Sequence, residues 1–192
     1  MTRPNDKSAI RQDVLSRRDA LSEADRARMS AAMAEHPLPF LDELGEGPVS
    51  GFWPIRSEVD PRPLMRRLAQ LGAGLCLPVV RETGLEFRAY AFGDLLDKAG
   101  FGLSEPPQTA PEARPRVMLA PMAAFDRFGD RVGYGKGHYD RAIERMLADG
   151  KPLTIVGLAF SLQEVERVPA EAHDRRLDWI LTEREVIRPS HL

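Results

Sequence analysis

Three glycines alternate with other residues in the segment Arg131-Val-Gly-Tyr-Gly-Lys-Gly-His-Tyr-Asp-Arg141. Glycine adopts backbone angles closed to other residues, and such turns can aim main-chain N–H groups outward. An apolar run at 117–125 predicts a buried strand before the segment, and the apolar spacing of 138–149 predicts a helix after it. Unpaired N–H groups and the helix dipole both attract anions, so this segment and its cationic side chains predict a phosphate-binding loop.

Two common phosphate-binding motifs do not match this segment. A Walker loop has four residues between its glycines and then Gly-Lys-Ser or Gly-Lys-Thr, and the chain contains no such string. The dinucleotide fingerprint places its glycines directly after a strand, whereas residues 126–132 intervene here. The alternative is a glycine-rich hairpin that binds nothing. Three glycines next to the cations Arg131, Lys136 and Arg141 favour binding of an anion.

The composition indicates an ordinary globular protein. With 192 residues, of which 43% are hydrophobic and 29% charged, we expect a single domain over 1–192. The net charge of −2 predicts no nucleic-acid partner. Residues 1–15 lack the apolar core of a secretion signal, and no run reaches the length of a membrane span. Cys76 has no second cysteine to pair with, so we expect a structural thiol and a reducing, cytoplasmic location.

Strands and helices are predicted to alternate along the chain. This order favours an α/β fold, a layered single domain with a mostly parallel sheet flanked by helices. In such sheets, ligands bind outside the carboxyl ends of the strands, where the glycine segment would lie. Residues 100–116 are rich in proline and glycine and predict a long loop. The predicted helices span 5–21, 22–35, 61–71 and 138–149, and the predicted strands span 49–54, 75–80, 85–90, 117–125, 154–160 and 179–182.

Candidate binding residues outside the glycine segment give weak signals of their own. Lys7 and Arg11 are four residues apart on the first predicted helix and therefore share a face. On spacing alone, this pair indicates a solvated basic face. Trp53 and Glu58, taken alone, indicate a core aromatic residue and a surface charge.

Taken together, the motifs of this chain resemble those of the 5-formyltetrahydrofolate cyclo-ligases, also called 5,10-methenyltetrahydrofolate synthetases. The glycine segment with Tyr-Asp after it is the most specific part. The family commonly has a tyrosine where His138 stands and a bulkier aliphatic residue where Val132 stands. The resemblance covers nearly the whole chain, through Lys7-Ser-Ala-Ile-Arg11, 53–58, 102–106, 120–126, 129–141, Gln163, 168–174 and 182–183.

The resemblance implies an enzyme that depends on ATP as co-substrate and on Mg²⁺. Its substrate would be 5-formyltetrahydrofolate, with or without a polyglutamate tail, and its products 5,10-methenyltetrahydrofolate, ADP and phosphate. ATP would phosphorylate the formyl oxygen, because an amide oxygen is a poor leaving group. Such transfers need positioning and charge neutralisation more than a covalent nucleophile. Neither nucleic acid nor membrane is implied as a partner.

The same resemblance implies roles for individual residues. Lys136, Arg131 and Arg11 would be the catalytic cations. Trp53, Glu58 and Tyr139 would contact the folate, since an aromatic wall and a carboxylate suit a flat pterin with N–H donors. The implied ATP contacts are Lys7, Arg11, Arg131, Gly133, Tyr134, Gly135, Lys136, Gly137, His138 and Tyr139.

Asp140 follows the glycine loop directly, where a carboxylate would repel a triphosphate. A divalent cation between the two anions removes this conflict, because magnesium commonly joins one or two carboxylates to substrate phosphates. Asp140 is therefore predicted as a metal ligand. Asp174 and Asp178 are both candidates for the second ligand, and the family pattern favours Asp178.

Two other functions fit the same residues. One is a regulatory module that binds nucleotide or folate without turnover, although the chain retains Lys136 and the acidic residues that turnover needs. The other is a different ATP-dependent phosphotransferase, such as a kinase of a small hydroxylated substrate. Only a substrate screen separates this second alternative from the folate enzyme.

Overall fold

The computed structural model describes residues 6–43, 47–99, 104–171 and 174–190. Four α-helices lie in these ranges: α1 (Lys7–Asp19), α2 (Glu23–Glu35), α3 (Arg62–Gln70) and α4 (His138–Ala148). The strands are β1 (Val49–Ser50), β2 (Leu75–Arg81), β3 (Gly84–Tyr90), β4 (Asp97–Lys98), β5 (Ser104–Glu105), β6 (Val117–Pro121), β7 (Ala124–Phe125), β8 (Arg131–Val132), β9 (Thr154–Leu158), β10 (Trp179–Leu181) and β11 (Val186–Ile187).

Seven of these strands form one sheet in the order β11-β10-β9-β6-β1-β2-β3. The five inner strands run parallel, and β3 and β11 are antiparallel at the two edges. Helices α2 and α3 cover one face of this sheet, and α4 covers the other. The predicted α/β fold with a mostly parallel, helix-flanked sheet is confirmed.

A gap opens in the sheet where β1 stops. The strand predicted over 49–54 has only two residues, and its last ladder bond runs from Gly51 N–H to the Cys76 carbonyl. Beyond that bond the chain turns out of the sheet, while β2 continues to Arg81 and β6 to Pro121. The carboxyl halves of β2 and β6 therefore face each other across an unfilled strand position, the kind of crevice where α/β proteins bind ligands.

The strand predicted over 117–125 is two strands. β6 ends at Pro121, whose nitrogen carries no hydrogen for a further ladder bond. β7 then pairs with β8 in a separate antiparallel hairpin. Helix α1 packs on this hairpin through Val14, which is fully buried with Ala124 and Val132. The hairpin thus carries both the N-terminal helix and the start of the glycine loop.

The segment predicted as a long loop has regular structure in its described part. β5 pairs with β4, and the backbone of 111–113 hydrogen-bonds to β3 at Ala89 and Phe87. This pairing covers an otherwise open sheet edge. Residues 100–103 lie outside the described residues. Among the residues that the structure describes, no helix is long and apolar enough to cross a membrane.

Candidate active site

A cavity of about 580 Å³ occupies the crevice beyond β1. One wall is the glycine loop with the first turn of α4. The opposite wall is the turn that leaves β1, together with the carboxyl half of β2. We call these the loop wall and the turn wall. The loop wall contributes Arg131, Gly133, Tyr134, Lys136, Gly137, His138, Tyr139 and Asp140, and the turn wall contributes Phe52, Trp53, Ile55, Arg56, Glu58, Pro78 and Val80.

Glycine is required at two positions of the loop wall. Gly135 has φ +89° and Gly137 has φ +61°, in the left-handed region that side-chain-bearing residues rarely adopt. Gly137 is the N-cap of α4 and leaves the first turn without a side-chain cap. The amino end of α4 therefore presents backbone N–H groups and the positive end of its dipole toward the cavity.

Two arginines hold the backbone of this loop. Arg11 of α1 donates through Nε to the Gly133 carbonyl at 2.6 Å. Its guanidinium carbon lies 3.6 Å from where a Cβ on Gly135 would stand. Arg141 donates to the Lys136 carbonyl at 2.9 Å. The predicted approach of α1 to the glycine segment is therefore present, and Arg11 makes it.

Lys7 points elsewhere, although it shares a helix face with Arg11. Its amine forms ion pairs with Asp174 at 2.6 Å and Glu171 at 3.1 Å. Burial lowers the pKa of this amine, but the hydrogen bonds with Asp174 and Glu171 outweigh burial and raise it. The predicted basic pair is thus divided, because Arg11 contacts the glycine loop and Lys7 contacts Glu171 and Asp174.

The two predicted metal ligands do not come together. Asp140 lines the cavity in the first turn of α4, and its Oδ1 accepts from Arg131 at 2.5 Å. Asp178 lies just before β10, and its Oδ2 accepts from the Ile155 N–H at 2.7 Å. That bond lies at the amino ends of β9 and β10, whereas the cavity lies at the carboxyl ends of the parallel strands. The structure therefore does not support the choice of Asp178 over Asp174, because the Asp178 carboxylate accepts a hydrogen bond at the start of β9.

The backbone next to Asp174 contacts the loop wall through Arg131. Arg131 is 8% exposed and donates to the backbone carbonyl of Arg175, next to Asp174, as well as to Asp140. One buried arginine therefore connects the helix that carries Asp140 with the segment that carries Asp174. Residues 172–173, which include His173, lie outside the described residues.

Glu58 is the buried acid of the turn wall, with 7% of its surface exposed. Its Oε2 accepts from the Ile55 N–H at 2.9 Å, which closes the turn. Burial raises the pKa of Glu58, and the Ile55 N–H, Tyr134, Arg18 and Arg56 oppose this rise. A carboxylate in such a place gains strongly from ligand N–H donors, because few protein donors satisfy it.

Aromatic side chains line the same cavity as this carboxylate. Trp53 packs edge-on against Tyr90 at 6.4 Å between ring centroids, and the Arg62 guanidinium lies 5.1 Å from the Trp53 ring centre. Burial and the neighbouring Glu58 raise the pKa of both Tyr134 and Tyr139. Both phenols therefore stay protonated at neutral pH.

His138 is the first residue of α4 and lines the cavity as part of the loop wall. Its Nδ1 lies 3.1 Å from Nη2 of Arg141. An arginine can only donate, so Nδ1 accepts and the neutral ring carries its proton on Nε2. Burial, Arg141 and Lys136 lower the pKa of His138, which keeps the ring neutral.

Three charged residues at the site, Glu105, Arg56 and Arg18, were not predicted from the sequence. Glu105, 8% exposed, lines the cavity and caps the Val80 N–H of β2 at 3.0 Å. Arg56 lines it with φ +52°, a backbone angle rare outside glycine. Arg18 is buried behind it. Only Arg18 had a signal, because it stands four residues after the apolar Val14 and so faces the core.

The fold and the cavity define a class of protein, an α/β enzyme with a glycine-rich loop at the carboxyl end of a parallel sheet. The model of the 5-formyltetrahydrofolate cyclo-ligase family matches residues 3–183. The chain belongs to that family, and the resemblance of its motifs is confirmed.

Individual relatives agree with this family. The 5-formyltetrahydrofolate cyclo-ligase of Mycolicibacterium smegmatis is 34% identical over 93% of this chain and 94% of the relative. The solution structure of the Aquifex aeolicus 5,10-methenyltetrahydrofolate synthetase is 31% identical, with a TM-score of 0.81 over 97% of this chain and 94% of that one. A synthetase from Mycoplasma pneumoniae, 22% identical with a TM-score of 0.72, has the same fold over 93% of this chain and 99% of that one.

Proposed function

We propose that this chain converts 5-formyltetrahydrofolate to 5,10-methenyltetrahydrofolate in an ATP-dependent reaction that releases ADP and phosphate. The observation that carries this proposal is a single cavity with two chemically different walls. A helix N-terminus with cationic side chains suits a triphosphate. A buried carboxylate among aromatic and apolar side chains suits a flat pterin with N–H donors.

The loop wall would bind ATP and activate the formyl oxygen. Gly133 to Tyr139 would wrap the triphosphate, and we assign Lys136 and Arg131 to the charge of the transferring phosphoryl group. Arg11 would act on the loop itself, since its bond to the Gly133 carbonyl fixes the backbone that receives the phosphates. After transfer, the second nitrogen of the folate attacks the activated carbon and phosphate leaves.

Asp140 of the loop wall is suited to bind magnesium. Among the described residues, no three His, Cys, Asp or Glu side chains cluster as a metal site. Magnesium needs no such cluster, because it commonly takes one or two carboxylates together with substrate phosphates and water. We assign Asp140 as one ligand and Asp174, in place of Asp178, as the other. When bound, magnesium would neutralise phosphate charge.

The turn wall would bind the folate. One oxygen of Glu58 is bonded to the Ile55 N–H, so the other would accept from the pterin ring. Trp53 and Tyr139 would contact the flat faces and edges of the substrate. Glu105 has a matching arrangement, with one oxygen on the Val80 N–H, and we assign it to the same ring system.

We also infer a cytoplasmic location. Burial raises the pKa of the Cys76 thiol to about 12, so this cysteine is an inert core residue that suits a reducing compartment.

Incubation of the purified chain with 5-formyltetrahydrofolate, ATP and magnesium tests the proposed reaction. The methenyl product should appear through its near-ultraviolet absorbance, with one ADP released per product. Reactions without ATP or without magnesium are the controls. Binding of both ligands without product would favour a regulatory module. ATP turnover only with an unrelated hydroxylated substrate would favour a different phosphotransferase.

A further inference from the structure

Arg18 is a buried charge whose hydrogen bonds reach both walls of the cavity. It stands near the end of α1 and is 1% exposed. Nε donates to Ser57 Oγ at 3.0 Å, Nη2 donates to the Tyr134 hydroxyl at 2.5 Å, and Nη1 lies 3.4 Å from the Met122 carbonyl. Ser57 lies in the turn that forms the turn wall, and Tyr134 belongs to the loop wall. The buried guanidinium of Arg18 therefore connects the two walls through its hydrogen bonds to Ser57 and Tyr134.

The bridge continues to the buried carboxylate. Ser57 precedes Glu58 directly, and its hydroxyl also bonds to Asp19, so the turn is held from α1 as well. The Tyr134 phenol accepts from Arg18, which leaves its own proton available for the neighbouring Glu58. Tyr134 and Glu58 line the same cavity, and a side-chain hydrogen bond between them is among the causes that shift the pKa of each. A continuous chain of polar groups thus runs from the glycine loop through Tyr134 to Glu58.

We propose that Arg18 is a positioning residue that couples the two binding events through Tyr134 and Ser57. A triphosphate that orders the glycine loop fixes Tyr134, and Tyr134 together with Arg18 fixes the Glu58 turn before folate arrives. Each ligand would then bind more tightly when the other is present, since thermodynamic coupling is reciprocal. The sign is positive, because both ligands favour the same arrangement of one shared network.

The alternative is that Arg18 only stabilises the fold. Breaking a buried charged network destabilises a protein whatever its function. A purely structural role predicts a lower melting temperature and equal weakening of folate binding with and without nucleotide. Coupling predicts that the ratio of these two folate affinities changes. The ratio therefore separates the two roles.

Equilibrium titration of 5-formyltetrahydrofolate into the full chain measures this ratio, with and without saturating magnesium and a non-hydrolysable ATP analogue. We expect the analogue to tighten folate binding in the wild type by at least about fivefold, the lower end of typical couplings. Tyr134→Phe, which removes one hydroxyl, and Arg18→Lys, which keeps the charge without the fork, should bring the ratio close to one. Arg17→Lys is the matched control, because Arg17 is an exposed neighbour paired with Asp13 in its own helix, and it should keep the wild-type ratio.

A wild-type ratio of one overturns the proposal, as does a Tyr134→Phe variant with the wild-type ratio. If Arg18→Lys keeps the wild-type ratio and Tyr134→Phe brings it close to one, Arg18 has no part in the coupling. If Arg18→Lys does not fold, as judged by circular dichroism, Tyr134→Phe alone decides. The inference rests on the proposed two-ligand function, which the absorbance assay and the single-ligand titrations test separately.

Discussion

The two walls of the cavity offer their proposed ligands different physical means of recognition. The loop wall relies on backbone geometry, with two glycines in left-handed conformations, an uncapped helix start and cations around it. The turn wall relies on one buried side chain, Glu58, whose charge is costly without a ligand. Anion recognition by backbone is visible in a sequence motif, whereas recognition by a buried carboxylate depends on tertiary burial. Binding at the loop wall should therefore be lost when a charge or a metal ligand is removed. Binding at the turn wall should be lost when the single hydrogen-bonding group of Glu58 is changed.

The largest expected effect is on the loop wall, at Asp140. Asp140→Asn keeps the shape and the first-turn position but removes the charge assigned to magnesium. Loss of one electrostatic stabiliser costs about 3 kcal/mol in the barrier, roughly a hundredfold in rate. Steady-state kinetics over a magnesium series should show this loss together with weaker magnesium dependence.

Asp174→Asn and Asp178→Asn test which acid accompanies Asp140. We expect Asp174→Asn to reproduce the magnesium signature and Asp178→Asn to leave it unchanged, because an asparagine oxygen still accepts from the Ile155 N–H. An Asp178→Asn enzyme with the Asp140→Asn signature would return the assignment to Asp178.

The next effect is on the turn wall. Glu58→Gln retains an acceptor for the Ile55 N–H but removes the charge that meets the pterin. A charged hydrogen bond contributes about 1.5–3 kcal/mol, so folate binding should weaken by roughly 10- to 150-fold. Calorimetric titration of each ligand alone should show nearly unchanged affinity for the ATP analogue. Equal losses for both ligands would contradict the assignment of Glu58 to the folate.

The pH dependence of Glu58 sharpens the same prediction. Burial holds the folded-state pKa of Glu58 above its ordinary value of 4.5, so the folded chain binds this proton more readily than the unfolded chain. The ionised carboxylate therefore lowers stability above that pKa, and the penalty is lost as pH falls through it. At neutral pH, Glu58→Gln should melt at the same or a higher temperature than the wild type. Folate affinity of the wild type should fall with the pH through this range, and that of Glu58→Gln should not follow it.

A smaller effect is expected where the basic pair divides. Arg11→Ala removes the bond to the Gly133 carbonyl and should weaken ATP binding about tenfold, the lower range for a charged hydrogen bond. Lys7→Ala should cost less, because the ion pairs of Lys7 are partly exposed and such pairs contribute about 0–1 kcal/mol. The KM for ATP of both variants measures the difference. A larger loss for Lys7→Ala than for Arg11→Ala would show that the ion pairs of Lys7 contribute more to ATP binding than the bond of Arg11 to the glycine loop.

The smallest effect is expected at His138. The resemblance of the motifs leads us to expect a tyrosine at this position, and the neutral His138 ring lines the cavity. His138→Tyr replaces one neutral donor by another, so kcat/KM should change by less than about threefold, within the range of a surface substitution. A tenfold change would indicate that the ring contacts the phosphates directly.

The sequence predicted the parts of this molecule that depend on local pattern. The sheet, the helix after the glycines and the place of the loop at the carboxyl ends of the strands follow from periodicity and glycine chemistry. The break at Pro121 and the early end of β1 do not, because an apolar run looks the same whether or not it stays in the sheet. That early end opens the cavity, so the site could be located in sequence but its shape could not.

The direction in which a side chain points could not be predicted from the sequence. Asp174 and Asp178 are four residues apart, yet one bonds to Lys7 and the other to the start of β9. Arg18 and Arg17 are neighbours, yet one is buried behind the cavity and the other exposed. Such differences are fixed by packing between distant elements, which neither spacing nor residue type reveals.

A structure of the chain with magnesium, the non-hydrolysable ATP analogue and 5-formyltetrahydrofolate tests the central claim most directly. We expect the triphosphate at the amino end of α4, within hydrogen-bonding distance of the Gly135–Gly137 backbone and Lys136. The pterin should lie against Trp53 with an N–H on the Glu58 carboxylate, and the formyl oxygen should face the γ-phosphate. Phosphates bound away from the glycine loop, or a pterin that does not contact Glu58, would contradict the account of one cavity with two specialised walls.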